Sequence, residues 1–101
     1  MPRLIDTASV IRSKNAGPLT LSLDLMFRSE DEYALAAASP ALTPERLAPL
    51  YGVAAREITV TPYPVARAIK IAMPRRVVAG SPGDRDVYGA QQHAPLLAID
   101  L

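Results

Sequence analysis

The chain has 101 residues, half of them apolar, with eleven basic and ten acidic side chains and a net charge of +1. This length and composition imply one domain with its own core, and the balanced charge leaves no electrostatic footprint for nucleic acid or an anionic membrane. With no cysteine and one histidine, disulfides, thiolate chemistry, Cys-ligated metals and a His-rich metal site are excluded.

No apolar run approaches the length of a membrane span and no signal-peptide pattern opens the chain, so the expected location is the cytoplasm. Ten prolines fall mostly between apolar segments. Each marks an element boundary, because proline fixes φ and removes a donor. Residues 4–11 fit a short strand or a single helical turn: Leu4, Ala8 and Ile11 keep helical spacing, while Val10 suits a strand. Residues 12–18, Arg-Ser-Lys-Asn-Ala-Gly-Pro, read as a polar loop closing on a Gly-Pro turn.

Residues 19–27 predict a strand. Leu19, Leu21, Leu23 and Leu25 face one way, and Thr20, Ser22, Asp24 and Met26 the other. Strict alternation of this kind belongs to an antiparallel sheet with one face on a core. Asp24 is then either a solvated strand residue or a partner for Arg12 or Lys14.

Ser29-x-x-Glu32 is a capping box, and Glu30, Asp31 and Glu32 place negative charge at the positive end of a helix dipole. Tyr33, Ala34, Ala37 and Ala38 are the expected inner face of that helix, and Pro40 stops it. Thr43-Pro44 starts a second helix with proline at its first position. Leu47, Leu50 and Tyr51 form its stripe, Gly52 is the expected left-handed terminator, and Pro49 makes it short.

Residues 57–61 alternate with Ile58 and Val60 inward, and Pro62 and Pro64 are expected to break the strand. Residues 65–73 predict another strand, with Ile69, Ile71 and Met73 on the face of Arg67 and Ala66, Ala68, Lys70 and Ala72 on the opposite one. Val77 and Val78 form a short pairing segment, residues 80–86 a loop, and residues 87–95 an irregular polar stretch. Leu97, Ile99 and Leu101 alternate into a last strand that must be paired to cover its apolar side chains. The order of strands and helices defines an α+β two-layer sandwich: an antiparallel sheet with two helices on one face, of ferredoxin-like type.

Two polar clusters carry the candidate chemistry, and folding is expected to bring them to one surface. In the first, Arg12 offers a planar fork and Lys14 a point charge. Ser13 and Asn15 can donate, and Gly17 lets backbone N–H groups approach closely. These residues suit an anion, although the glycine spacing is not that of a Walker A loop. The competing reading is a merely polar loop with Arg12 paired to a nearby Asp. Two or three charge-assisted bonds supply about 4–9 kcal/mol, against an association cost of about 4–15 kcal/mol, so this cluster needs further walls.

The second cluster is Tyr88-Gly89-Ala90-Gln91-Gln92-His93. His93 titrates near neutrality and is the candidate for proton transfer, while Tyr88, Gln91 and Gln92 are candidate ligand-binding residues. The competing reading is a structural histidine. Asp84 and Asp86 could bind a hard cation with water filling the remaining sites, but the signal is weak and the favoured reading is a solvated acidic loop. No Ser/His/Asp spacing or carboxylate pair stands out, and the sequence leaves the question of a cofactor open.

Together, residues 12–18 and 88–95 resemble a bacterial family of about one hundred residues, a domain of unknown function. Leu50-Tyr51-Gly52-Val53, Ala68-Ile69-Lys70 and Arg75 fit the same pattern. The resemblance implies a gene encoded beside a larger partner similar to the acyclic terpene utilisation protein A, in catabolic clusters. That larger family often ends in a ferredoxin-like domain with an Arg-Ser-Gly-Asp-Lys-Gly stretch. Residues 12–17 look like a variant of it, without the acidic residue and with no counterpart for Asn15.

Two functional expectations follow. In the first, the chain is the small subunit of a heteromeric catabolic enzyme, of lyase or hydro-lyase type, acting on an organic acid or acyl thioester. The Arg12 cluster would hold the acid and the Gln91–His93 segment would orient or protonate it. In the second, the chain is a non-catalytic assembly or regulatory module in which Arg12 pairs with Asp24 or Asp86. Self-association into a homo-oligomer is open in either case.

Overall fold

Strict alternation in the strand after Leu19 builds the centre of the sheet. The computed structural model describes residues 3–15, 19–74 and 99–101. Over them the elements run α1 (Leu4–Thr7), β1 (Val10–Asn15), β2 (Thr20–Met26), α2 (Glu30–Ala37), α3 (Pro44–Tyr51), β3 (Thr59–Tyr63) and β4 (Ala68–Pro74), with 3-10 turns at Pro40–Leu42, Ala55–Glu57 and Pro64–Ala66. The strands form one antiparallel sheet in the order β1-β2-β4-β3. The expected α+β class is therefore the observed one. No helix among the described residues is long and apolar enough to cross a membrane.

Leu21, Leu23 and Leu25 of β2 and Ile69, Ile71 and Met73 of β4 project to one face. There they join Leu4 of α1, Ala36 of α2, Leu42, and Leu47 of α3 in a single buried cluster. Each of the leucine, isoleucine and methionine side chains contributes about 1.5–3 kcal/mol when fully buried, and this burial holds the helices against the sheet. Ile99 and Leu101 complete the cluster. Their segment is tied to the start of the chain by an Arg3–Asp100 bridge and by the Leu4 N–H donating to the Ile99 carbonyl at 2.9 Å. Of the expected last strand, Leu97 lies outside the described residues, as do 77–78, 80–86 and 87–95.

Several elements depart from expectation for identifiable reasons. Residues 12–15 are not a loop: they continue β1, because Arg12, Ser13, Lys14 and Asn15 pair in register with Asp24, Leu23, Ser22 and Leu21. In α2 the Ser29 hydroxyl accepts from the Glu32 N–H at 3.2 Å as the capping box requires. Its buried residue, however, is Ala36, while Ala34, Ala37 and Ala38 are exposed. Tyr33 meets Phe27 edge to face with centroids 6.2 Å apart, and that contact turns Tyr33 and Ala36, one helical turn apart, towards the core. In α3 Leu47 is buried but Leu50 is exposed. The helix continues past Pro49 to Gly52, whose φ of 67° is the expected left-handed terminator. β3 runs through Pro62 because it is an edge strand, where a missing donor breaks no ladder bond.

The strand expected from residue 65 begins at Ala68. Pro64–Ala66 turn, and Arg67 takes φ 49° and ψ 48°, a left-handed conformation costly for a residue with a Cβ. Two bonds hold it there. Its guanidinium Nη1 donates to the Arg28 carbonyl at 2.6 Å, and its own carbonyl accepts from the Phe27 N–H at 2.9 Å. The β3–β4 turn is thereby clamped to the β2–α2 junction. Arg67→Ala, which keeps the strain and loses the side-chain bond, should lower stability by about 1 kcal/mol. Arg67→Gly should lie closer to the parent in a denaturant titration, since it also relieves the backbone.

Burial pushes the Tyr51 phenol well above its ordinary value of 10.0. Below pH 10 the phenol is neutral in both folded and unfolded chains, and its contribution to stability is complete. As pH rises further the unfolded chain ionises first, and that contribution is lost. Thermal unfolding followed between pH 9 and 11 should therefore show a shallower alkaline decline for Tyr51→Phe than for the parent.

Candidate functional site

The second face of the sheet, opposite the core, carries the polar residues. Register sorts them into three rows running across the strands. The middle row is Arg12, Asp24, Lys70 and Thr61. The row on one side is Lys14, Ser22, Ala72 and Thr59. On the other side lie Val10, Met26, Ala68 and Tyr63. Opposed side chains in such rows have Cβ atoms about 5 Å apart.

Asp24 is the hub. Arg12 Nε lies 3.4 Å and Lys14 Nζ 4.0 Å from its Oδ2. The Asp24 side chain is 15% exposed, against 55% for Arg12 and 58% for Lys14. Asp24 is thus more a partner of the two cations than a solvated residue. At this exposure each pair is worth about 0–1 kcal/mol. Lys70 stands opposite Asp24 on β4, and among the described residues no carboxylate forms an ion pair with it. Among the described residues this part of the face therefore carries three cations and one carboxylate, with a surplus of positive charge.

Ser22, two residues before Asp24 on the same strand, is fully buried, and among the described residues its hydroxyl has no hydrogen-bond partner. Leaving such a group unsatisfied costs about 1–3 kcal/mol. It is a feature that packing alone does not explain.

The predicted anion cluster is divided by its own strand. Arg12 and Lys14 project to the second face, whereas Ser13, at 6% exposure, lies on the core face opposite Leu23. Alternation makes this unavoidable once residues 12–15 are extended. The backbone of Asn15 closes β1 opposite Leu21. Gly17, Tyr88, Gln91, Gln92 and His93 lie outside the described residues, as do Asp84 and Asp86. Lys70 and Ser22 were not singled out from the sequence. Alternation places each on a polar face, but only the β2–β4 register puts them beside Arg12 and Lys14.

Elsewhere, an apolar groove of about 210 Å³ runs between the end of α2 and β3, lined by Ala36, Leu42, Val60 and Pro62. Its hydroxyls are engaged locally: Ser39 accepts from the Ala41 N–H and Thr43 donates to the Pro40 carbonyl. Among the described residues, no charged side chain lines it. Among the described residues no three metal-ligating side chains gather.

The fold and the polar face together define a small α+β domain with a cationic sheet surface. Residues 4–100 match the family model for a domain of unknown function, DUF4387, and the chain belongs to that family. No curated protein and no solved structure matches it.

If the Ser22 hydroxyl serves a ligand and not the fold, removing it relieves an unsatisfied group. Ser22→Ala should then be as stable as the parent or more stable, by up to about 1 kcal/mol in denaturant titration.

Proposed function

We propose that the protein is the small subunit of a heteromeric catabolic enzyme acting on an organic acid or acyl thioester, in a lyase or hydro-lyase reaction. Its contribution is an anion-recognising surface. The observation that supports this reading is the gathering of Arg12, Lys14 and Lys70 around the single carboxylate of Asp24. The surface is a strand face and not a loop, so its cations are held by the backbone ladder and need little ordering when a ligand arrives. One domain with so few reactive groups suits a contributor to a larger site. The partner is a larger chain similar to the acyclic terpene utilisation protein A, and the complex is cytoplasmic. His93, with Tyr88, Gln91 and Gln92, is assigned to orienting or protonating the substrate. The strand order, with β2 and β4 central and every neighbour antiparallel, supports a ferredoxin-like arrangement.

The 3.4 Å contact between Arg12 and Asp24 favours a second reading, in which the polar face is structural and the chain is an assembly or regulatory module.

Affinity capture of the tagged chain from its native host, with the eluate identified by mass, tests the first reading. A larger protein should co-elute in stoichiometric amount, and recovery of the chain alone refutes the heteromer. Arg12→Ala separates the two readings. As a ligand contact it should weaken substrate binding by the complex while moving the melting temperature by no more than a few degrees, the effect of an exposed ion pair in a domain of this size. As a structural contact it should lower the melting temperature and leave binding unchanged.

A further inference from the structure

We propose that the second face of the sheet binds a small carboxylate bearing an apolar tail. The head lies among Arg12, Lys14 and Lys70, and the tail lies across the row Val10, Met26, Ala68 and Tyr63. The inference rests on the reading that this face recognises an acid, and it specifies the class of acid and how it lies.

Three observations carry it. The first is charge: Arg12 and Lys14 pair with the Asp24 carboxylate, and Lys70, opposite it in register, has no ion-pair partner among the described residues. An incoming carboxylate meets surplus positive charge and need not displace Asp24. The second is the apolar row beside the charged one. Val10 is 38% and Tyr63 47% exposed, and Met26 and Ala68 between them are half-buried. Two residues along a strand separate the rows by about 7 Å, so a tail of four or five carbons reaches from one to the other. A free phosphate would use the cations and leave this row empty.

The third observation is Ser22 on the same face, a fully buried hydroxyl with no partner among the described residues. Lys14 starts opposite Ser22 and its ammonium ends 4.0 Å from Asp24, so its stem passes along the Ser22 side of the strand. A carboxylate that draws the Lys14 ammonium lies beside Ser22, and the inferred role of the hydroxyl is to donate to it. Ser22 is then a donor held for the bound state.

The test is calorimetric titration of the purified chain with hexanoate at low ionic strength, with acetate, hexanol and inorganic phosphate as comparators. Hexanoate should bind at least about tenfold more tightly than acetate, because several buried methylenes separate them. Hexanol and phosphate should each bind more weakly than hexanoate. Lys70→Gln should weaken hexanoate by about tenfold through loss of one charge-assisted contact. Tyr63→Ala should reduce the preference for hexanoate over acetate and leave acetate unaffected. Backbone amide shifts on titration should centre on β1, β2 and β4.

Equal binding of acetate and hexanoate, tighter binding of phosphate, or an unchanged Lys70→Gln variant with native circular dichroism overturns the proposal. So does failure of both the isolated chain and its captured complex to bind hexanoate, while the subunit reading stands on the capture itself. Hexanoate binding by a chain that captures no partner sustains the proposal and refutes the subunit reading.

Discussion

The pairing of β2 with β4 is the constraint on which the rest depends. These two strands occupy the centre of the sheet, and their inward side chains are buried almost completely: Leu23, Leu25 and Ile71 at 0%, Ile69 at 1%, Leu21 and Met73 at 2%. A slip of one residue in their register would turn every one of these side chains to the second face and drive Asp24 and Lys70 into the core. The apolar side chains therefore determine where the charges lie. Asp24 stands opposite Lys70 because Leu23 and Leu25 stand opposite Ile71 and Ile69.

The flanking strands extend this frame at its edges. β1 and β3 have no further strand beside them among the described residues. Each carries features that discourage chance pairing: Arg12 and Lys14 on β1, and Pro62 within β3. On β1 the same cations that guard the edge lean inward to Asp24. A residue that protects a sheet edge is by nature charged and partly exposed, and these are also the properties that recognise an acid. Guarding the edge is thus compatible with the proposed recognition of an acid.

The electrostatics of the face are mild. Each ion pair to Asp24 is long and its cation exposed, so neither contributes much to folding. That leaves the cations available. A short, buried, bidentate pair would have locked Arg12 to Asp24. The observed arrangement positions Arg12 and Lys14 through long contacts to Asp24, which is compatible with the proposed recognition surface. Arg67 shows the opposite case. It accepts a left-handed backbone so that its guanidinium and carbonyl can join two segments, and its donors serve the fold.

Local patterns in the sequence determined much of this. The period-two alternation of β2, the Ser29 cap, Pro44 at a helix start and Gly52 at a helix end are each decided by a few neighbouring residues, and each appears as those residues dictate. The polar content of residues 12–15 was equally plain, but its structure was not. Arg, Ser, Lys and Asn have no strong strand preference, and only a partner offering Leu21, Leu23 and Leu25 makes extension favourable. Once extended, alternation sends Ser13 to the core and Arg12 and Lys14 away from it, dividing a motif that reads as one cluster. Lys70 and Ser22 join the site only through register, a relation between segments far apart in the chain that local propensity does not encode. The sequence by itself determined the class of fold, the ends of the helices and the presence of a cationic segment. The tertiary structure decided which residues share a face, because strand pairing is set by burial summed over the whole core and not by any one stretch.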